Sequence, residues 1–316
     1  MGFFSINKET GDKEKEFVIN QDITKSFPLK KERFILIKDE KAEDTLFFID
    51  GGIQELYKKG NSAFYILKIA YSEFLTKKRV GSKTYETIVR IDRGNKIEVS
   101  FKDDLSFLAE KDILEISEEN DFEENINQIR RILELELATY LSSSNENVSI
   151  VIDGSLLWKE YDEKNIDSLI KTSLDKNNQI IGLSKSTTLT TNKGNNVIDV
   201  LSEIGPEGQK WLYFPLFYGK KGLKSGCFKL HPRAPLAFRF DVLNVEENVT
   251  KENLKLIQAL MFNSTDGCFL GYPYGLVYVD KIARISNNEA EYLRTKYFLS
   301  KKKEEVKAHD ILDNMS

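Results

Sequence analysis

The spacing of apolar positions changes period several times along this chain, and each change marks an element. Thr45-Leu46-Phe47-Phe48-Ile49 is a short apolar run closed by Asp50-Gly51-Gly52, which predicts a buried strand with a turn at its C-terminal end. Residues 63–74 are dense in aromatic and β-branched side chains and predict a long second strand. Residues 85–91 alternate as a half-buried third strand, and a short one follows at 96–101. Over 122–141 the period lengthens: Ile126, Ile129, Leu133, Leu137 and Tyr140 recur every third or fourth position, which predicts an amphipathic helix. Ser143-Ser144-Asn145-Glu146-Asn147 breaks it. Residues 148–152 then read as a strand ending in Asp153-Gly154-Ser155, 164–174 as a helix, and 179–183 as a strand ending in Ser184-Lys185. Beyond these, strands are expected at 211–217 and 237–242, and helices at 251–262 and roughly 289–303. Residues 1–33 are charged and weakly patterned, and are expected to pack late or on a partner.

The resulting order, β-β-β-α-β-α-β, is a meander extended in parallel by two helix-crossed strands. It is the order of an RNase H-like core, an α/β fold with a mixed sheet and flanking helices. Composition agrees with a packed domain: 41% of the 316 residues are hydrophobic and 30% charged, which excludes a disordered chain and a coiled-coil rod. The two cysteines, Cys227 and Cys268, and two histidines, His231 and His309, have no zinc-site spacing and make no disulfide framework. The early charges Lys8, Glu9, Asp12 and Lys13 leave no apolar signal core, and no apolar run reaches membrane-spanning length, so a cytoplasmic protein without a membrane partner is expected.

Asp50 and Asp153 each follow a buried apolar run and precede glycine. In an RNase H-like core those two strands lie side by side and parallel. Ligand sites in such sheets lie beyond strand carboxyl ends, so the two carboxylates come within reach of one hard cation, Mg²⁺ or Mn²⁺. A single Asp-Gly would read as a turn; two at equivalent strand ends point to a metal site. Glu134 and Glu136 fall on opposite flanks of the helix stripe, because successive residues step by about 100°. Either could complete the cluster, the other being a solvated flank, and Arg130 and Arg131 stand one turn earlier as ion-pair partners. Lys185, ending the last core strand, could neutralise a phosphate or hold a water. Asp280, beyond the Gly271-Tyr272-Pro273-Tyr274 turn, is a further candidate metal ligand, while the tyrosines read as packing residues.

Net charge is −4, so any nucleic-acid contact must be local. Lys210, Lys220, Lys221, Lys224, Lys229, Arg233 and Arg239 occur without an intervening acid and with Phe214, Phe217, Tyr218, Phe228 and Phe238 among them. With His231 they form a candidate DNA-backbone site, against the plainer reading of a solvated basic loop.

The chain resembles the NurA nuclease family from about Phe47 to Tyr297. The likeness rests on Ile-Asp-Gly at Asp50, Arg-Arg-x-Leu-Glu at 130–134, Ile-Asp-Gly-Ser-Leu at Asp153 and Gly-Leu-Ser-Lys at Lys185. It continues through Arg-x-Asp at Arg239 and Gly-Tyr-Pro-Tyr-x-Leu leading to Asp280. The resemblance implies an RNase H-like, Argonaute-PIWI-like fold and Mn²⁺-dependent (or Mg²⁺-dependent) 5′-to-3′ exonuclease and endonuclease activity on DNA. It also implies a homodimer with a central DNA channel, working beside a HerA-type hexameric translocase in DNA end resection and double-strand break repair. Carried over, Asp50, a helix glutamate and Asp153 are the metal-binding triad; the motif favours Glu134, the lean toward the stripe Glu136. The chain departs from the family in Gly-Gly after Asp50, where Gly-Ser is commoner, and in Asp280, where histidine is frequent. It divides into an extension at 1–33, a nuclease domain at 34–300 with its core at about 45–190, and a charged tail at 301–316. Two other classes compete: a non-catalytic RNase H-like adaptor docking on a translocase or DNA end, and, more weakly, a glycoside hydrolase using two carboxylates.

Overall fold

The computed structural model describes residues 16–40, 42–93, 97–101, 105–107, 120–243 and 251–299; the charged tail at 301–316 lies outside them. The strands are β1 (Val18–Ile19), β2 (Ile23–Ser26), β3 (Phe34–Leu36), β4 (Thr45–Lys59), β5 (Ser62–Leu75), β6 (Lys78–Arg93) and β7 (Ile97–Phe101). After helix α1 (Phe122–Ser144) come β8 (Ser149–Asp153), α2 (Glu163–Asp175), β9 (Gln179–Ser184), β10 (Thr190–Thr191) and α3 (Val197–Ile204). The chain continues with β11 (Trp211–Gly219), β12 (Lys224–Lys229), β13 (Phe238–Val242), α4 (Lys251–Asn263), α5 (Tyr274–Ala283) and α6 (Asn287–Arg294).

The central sheet runs β2-β11-β12-β13-β9-β8-β4-β5-β6-β7, with β3 also on β11. Within it, β6-β5-β4 form the antiparallel meander, β8 lies parallel to β4, and β9 parallel to β8. This is the RNase H-like topology expected from the element order. On its far side β9 receives β13 antiparallel, so the hairpin β11–β12 and β13 continue the same sheet.

Alternation on β4 assigns the two faces. Phe47 and Ile49 pack with Ile126, Ile129 and Leu133 of α1, while Leu46 and Phe48 pack with Leu260 of α4 and Leu276 and Val279 of α5. Each fully buried Leu, Ile or Phe contributes about 1.5–3 kcal/mol, so both helix layers are held by ordinary apolar burial. Helix α1 begins where Asp121 caps it: its carboxylate accepts from the Glu124 amide at 2.8 Å and Glu124 reciprocates to the Asp121 amide, a box worth about 1 kcal/mol. A smaller cluster joins Leu56, Phe64, Ile66 and Ile88 to Ala290 and Leu293 of α6. No helix among the described residues is long and apolar enough to cross a membrane.

Three expectations change. The strand at Thr45 does not turn at Asp50-Gly51-Gly52 but runs on to Lys59, so Asp50 lies within it. Helix α5 was not foreseen, and the helix expected from residue 289 begins at Asn287 as α6. Residues 16–33, expected to pack late or on a partner, pack on this chain: β1 pairs β10 and β2 pairs β11.

Candidate active site

The parallel register of β4 on β8 pairs Ile49 with Ile152, so Asp50 and Asp153 stand one residue further along neighbouring strands, about 4.8 Å apart in such a sheet. Beyond Asp153 the chain must turn sharply; Gly154 takes φ +116°, a conformation open to glycine, and its amide donates to the Leu183 carbonyl of β9. Lys185 follows β9 directly, and its Nζ lies 2.6 Å from Asp153 Oδ2.

Glu134 reaches this edge from α1 because Gly51 has no side chain: a Cβ there would stand 2.8 Å from Glu134 Oε1 and 2.9 Å from Arg130 Cγ. On the opposite face, a Cβ on Gly52 would collide with the Ala283 carbonyl oxygen at the end of α5. The Gly-Gly pair therefore serves close approach of a helix from each side, not a turn. Arg130 Nη1 stands 3.4 Å from Glu134 Oε1 and 3.9 Å from Asp50 Oδ1, and donates to the Gly51 carbonyl at 3.0 Å. Glu134 Oε1 is buried and accepts no hydrogen bond.

The electrostatics follow from this crowding. Asp50, buried and facing Glu134 and Asp153, is pushed up to about 8, burial being the larger cause. Glu134 rises to about 7 through burial, against the pull of Arg130 and Arg131. For Lys185, burial works downward, yet Asp153 outweighs it and the ammonium is held above its usual range. Tyr272, whose hydroxyl donates to Asp153 Oδ1 at 3.5 Å, is also raised, by burial and then by Asp153 and Asp50.

Asp50, Arg130, Asp153 and Lys185 line a cleft of about 560 Å³ that also takes in Asn20, Asp22, Arg131, Ser155, Thr187, Arg239 and Asp280, and Glu134 stands against Gly51 of its wall. A buried network supports its walls. Asp241 Oδ2 accepts from Ser155 Oγ (2.8 Å), the Leu156 amide (3.0 Å) and Arg239 Nη2 (3.0 Å), and Arg239 in turn reaches Ser184 and Thr187. Arg131 pairs with buried Asp162 and donates to the Ser155 carbonyl at 2.6 Å. The loops after β8 and β9 are thus tied to β13 and α1.

The structure brings Asp50, Asp153, Lys185 and Asp280 to one cleft, with Glu134 buried against its Gly51 wall. It separates Glu136, a catalytic candidate from sequence, which turns to α2 and accepts from Asn165 Nδ2 at 2.6 Å. Arg239, a DNA-binding candidate, is 3% exposed and committed to Asp241. The other basic candidates have separate surroundings. Lys220 pairs with Asp22 and lies over the Trp158 ring, Lys221 pairs with Glu163 and Asp167, and Lys224 lies near the Tyr218 ring. Lys229 lines a small cleft with Glu203 and Glu207. His231 accepts from the Arg233 amide, is held below its ordinary value by burial, Arg233 and Lys210, and leaves Arg233 exposed. The acid-free stretch is therefore not a stripe of free cations: its acids come from elsewhere in the chain. Tyr272, a packing residue from sequence, does pack on Phe238 but also reaches Asp153 through its hydroxyl, and the reach of Arg130 to Asp50 has no signal in the sequence.

Among the described residues, no three carboxylate, histidine or cysteine side chains are drawn in around one metal position. The donor set nonetheless fits a hard cation. It is all carboxylate oxygen, one buried oxygen of Glu134 accepts no hydrogen bond, and Asp50 and Glu134 crowd one another.

Similarity to known proteins follows the same architecture. The NurA nuclease from Sulfolobus solfataricus superposes with a TM-score of 0.57 at 16% identity, over 86% of this chain and 90% of that one. Looser likenesses are the catalytic domain of human endonuclease V (TM-score 0.39, 11% identity, 87% of this chain and 91% of that one) and A. aeolicus Argonaute (TM-score 0.35, 11% identity, 77% and 28%). Comparison with curated protein sequences gives no match. The NurA domain itself matches residues 44–285, a span that includes Asp50, Glu134, Asp153 and Asp280, and this chain therefore belongs to the NurA family.

Proposed function

We propose that this protein is a DNA nuclease, a phosphodiester hydrolase that depends on Mn²⁺ or Mg²⁺. The observation that carries the reading is the mutual crowding of Asp50, Glu134 and Asp153 in a NurA-domain chain, with Asp50 and Glu134 both raised above the ordinary carboxylate range. Carboxylates packed so closely destabilise the fold unless positive charge joins them. Asp50, Glu134 and Asp153 would hold the cation, with Asp280 as a further oxygen donor. Bound there, a divalent ion supplies charge neutralisation and a more acidic water. The chain's own groups do the rest. Arg130 balances Asp50 and Glu134 from the α1 side. Lys185 is placed to meet a phosphate oxygen beside Asp153. The Asp241–Arg239 network fixes the loops that carry Asp153 and Lys185.

The finer properties rest on the family likeness: 5′-to-3′ exonuclease and endonuclease activity, partnership with a HerA-type hexameric ATPase, a homodimer, a cytoplasmic setting and a role in DNA end resection. The NurA nuclease of Sulfolobus supports the activity by its name and shared fold. End-labelled DNA incubated with the purified protein and Mn²⁺ tests the proposal. Shortening or internal cutting that Asp153→Asn abolishes supports it. A wild-type protein that binds DNA and leaves every substrate intact, with and without the translocase, would instead be the non-catalytic adaptor.

A further inference from the structure

A second cavity, of about 790 Å³, opens beside the carboxylate cleft and shares Lys185 and Asp280 with it. Its volume is that of a small-molecule site, roughly 300–1,000 Å³. The lining is of another kind from the cleft: Leu236, Phe238, Phe269, Tyr272 and Val277 form the walls. Two of these are large apolar side chains held out in solvent, Leu236 at 55% and Phe269 at 48% exposure. Tyr272 is the partition. Its ring packs against Phe238 with centroids 5.1 Å apart, while its hydroxyl reaches Asp153 on the other side. Lys185 Nζ lies 5.4 Å over that ring and 2.6 Å from Asp153, so one cation borders both spaces. Lys281 and Arg284 also border it, Arg284 paired with Asp280 at 2.8 Å.

We propose that this cavity is a subsite for an unpaired nucleobase next to the phosphate held in the carboxylate cleft; the inference rests on the nuclease reading above. The ligand must offer an apolar, stackable face and carry an anionic group to Lys185, and a nucleotide offers both. A paired base does not qualify, because its two faces are covered by neighbours and its edge by its partner. Entry therefore requires a single strand, an overhang or a frayed end, the base leaving its stack at a cost of a few kcal/mol for a duplex and recovering contact on Phe269 and Tyr272. Stacking of this kind is sequence-tolerant, since every base has a π-face. The subsite would select strand state and not sequence.

Binding titrations in EDTA with the full chain test this without cleavage. The probes are a fluorescent single-stranded oligonucleotide, the same strand with one abasic residue placed in turn at each position near either end, and a blunt duplex. The wild type should lose about fivefold or more in affinity at one abasic position, the lower end of base stacking. Phe269→Ala should bind the intact strand correspondingly more weakly and show no abasic penalty there. Phe269→Trp should restore the penalty, and blunt-duplex binding should be unchanged in all three. An abasic penalty absent from the wild type at every position, or equal in wild type and Phe269→Ala, overturns the subsite. Cleavage assays with Mn²⁺ on the same strands separate the two readings. Cleavage without any abasic penalty overturns the subsite and keeps the nuclease, whereas a penalty without cleavage keeps the subsite and overturns the nuclease.

Discussion

Glu134 reaches the end of the sheet that carries Asp50 and Asp153 through the space that Gly51 leaves empty: a side chain at 51 would begin 2.8 Å from its Oε1. The carboxylate cluster thus depends on a missing Cβ in one strand as much as on the acids themselves. The same holds on the other face, where Gly52 admits the end of α5 and with it Asp280. Gly52→Ala should cost about 1–3 kcal/mol, the usual range for overpacking, because the obstructing atom is a backbone carbonyl that no rotamer change can move. A melt showing wild-type stability would mean that α5 shifts freely.

Asp50→Asn and Asp153→Asn should each lower cleavage by at least about 100-fold, the scale of losing one group that manages transition-state charge, while the far-ultraviolet circular dichroism stays native. The two should differ in stability. Asp50→Asn removes a crowded buried charge and should melt no lower than wild type at pH 8, whereas Asp153→Asn strips Lys185 of its ion-pair partner. Retained activity in either variant would refute the assignment.

The two helix glutamates should part cleanly. Glu134→Gln removes the buried carboxylate beside Asp50 and should abolish cleavage. Glu136→Gln should keep activity and act on stability instead, costing up to about 1.5–3 kcal/mol, the range of a hydrogen bond to a charged group such as the one from Asn165. Equal activity loss in both would show that α1 acts through its packing and not through one carboxylate.

Stability should depend on pH in a metal-sensitive way. Asp50 and Glu134 have ordinary values of 3.8 and 4.5 and folded values of about 8 and about 7. Raised carboxylates bind protons more tightly in the folded state, so their contribution is full below the ordinary values and is lost as pH rises through the folded ones. In EDTA, Tm should therefore fall between pH 6 and 8 more than in Asp50→Asn. Mn²⁺ must displace these protons, so the Tm gain it confers should grow over the same interval. A gain independent of pH would place the ion elsewhere.

Lys220, Lys221 and Lys224 read from sequence as a backbone-following loop, whose removal should flatten the slope of log affinity against log salt by up to about two units. In the fold, Asp22 holds Lys220, and Glu163 and Asp167 hold Lys221. Changing all three to Ala should then alter the salt slope little, while Lys185→Ala, beside the cleft, should weaken DNA binding. The full two-unit flattening in a salt titration would show that DNA displaces those acids.

What the amino-acid sequence alone determined is the local architecture. The apolar periods of β4, β5, β8, β9 and α1 are properties of short windows, and hydrophobic spacing is enough to set strand or helix and the order that makes an RNase H-like core. Asp153 at a strand end was legible for the same reason. The tertiary structure decided whatever depends on partners far along the chain. Asp50-Gly51-Gly52 has the composition of a turn, yet β5 pairs along its whole length and α1 and α5 close on it from opposite faces, so it stays extended. Glu134 and Glu136 flank the apolar stripe from opposite sides, and the helical wheel does not choose between them; Asn165 on α2 and Gly51 on β4 tell them apart. Arg239 stands in a basic run, but β13 lies between β12 and β9, which buries it together with Asp241, and Lys220 meets an aspartate from the N-terminal segment. Charge pairing and close approach are set by distance in space, which a linear pattern does not contain.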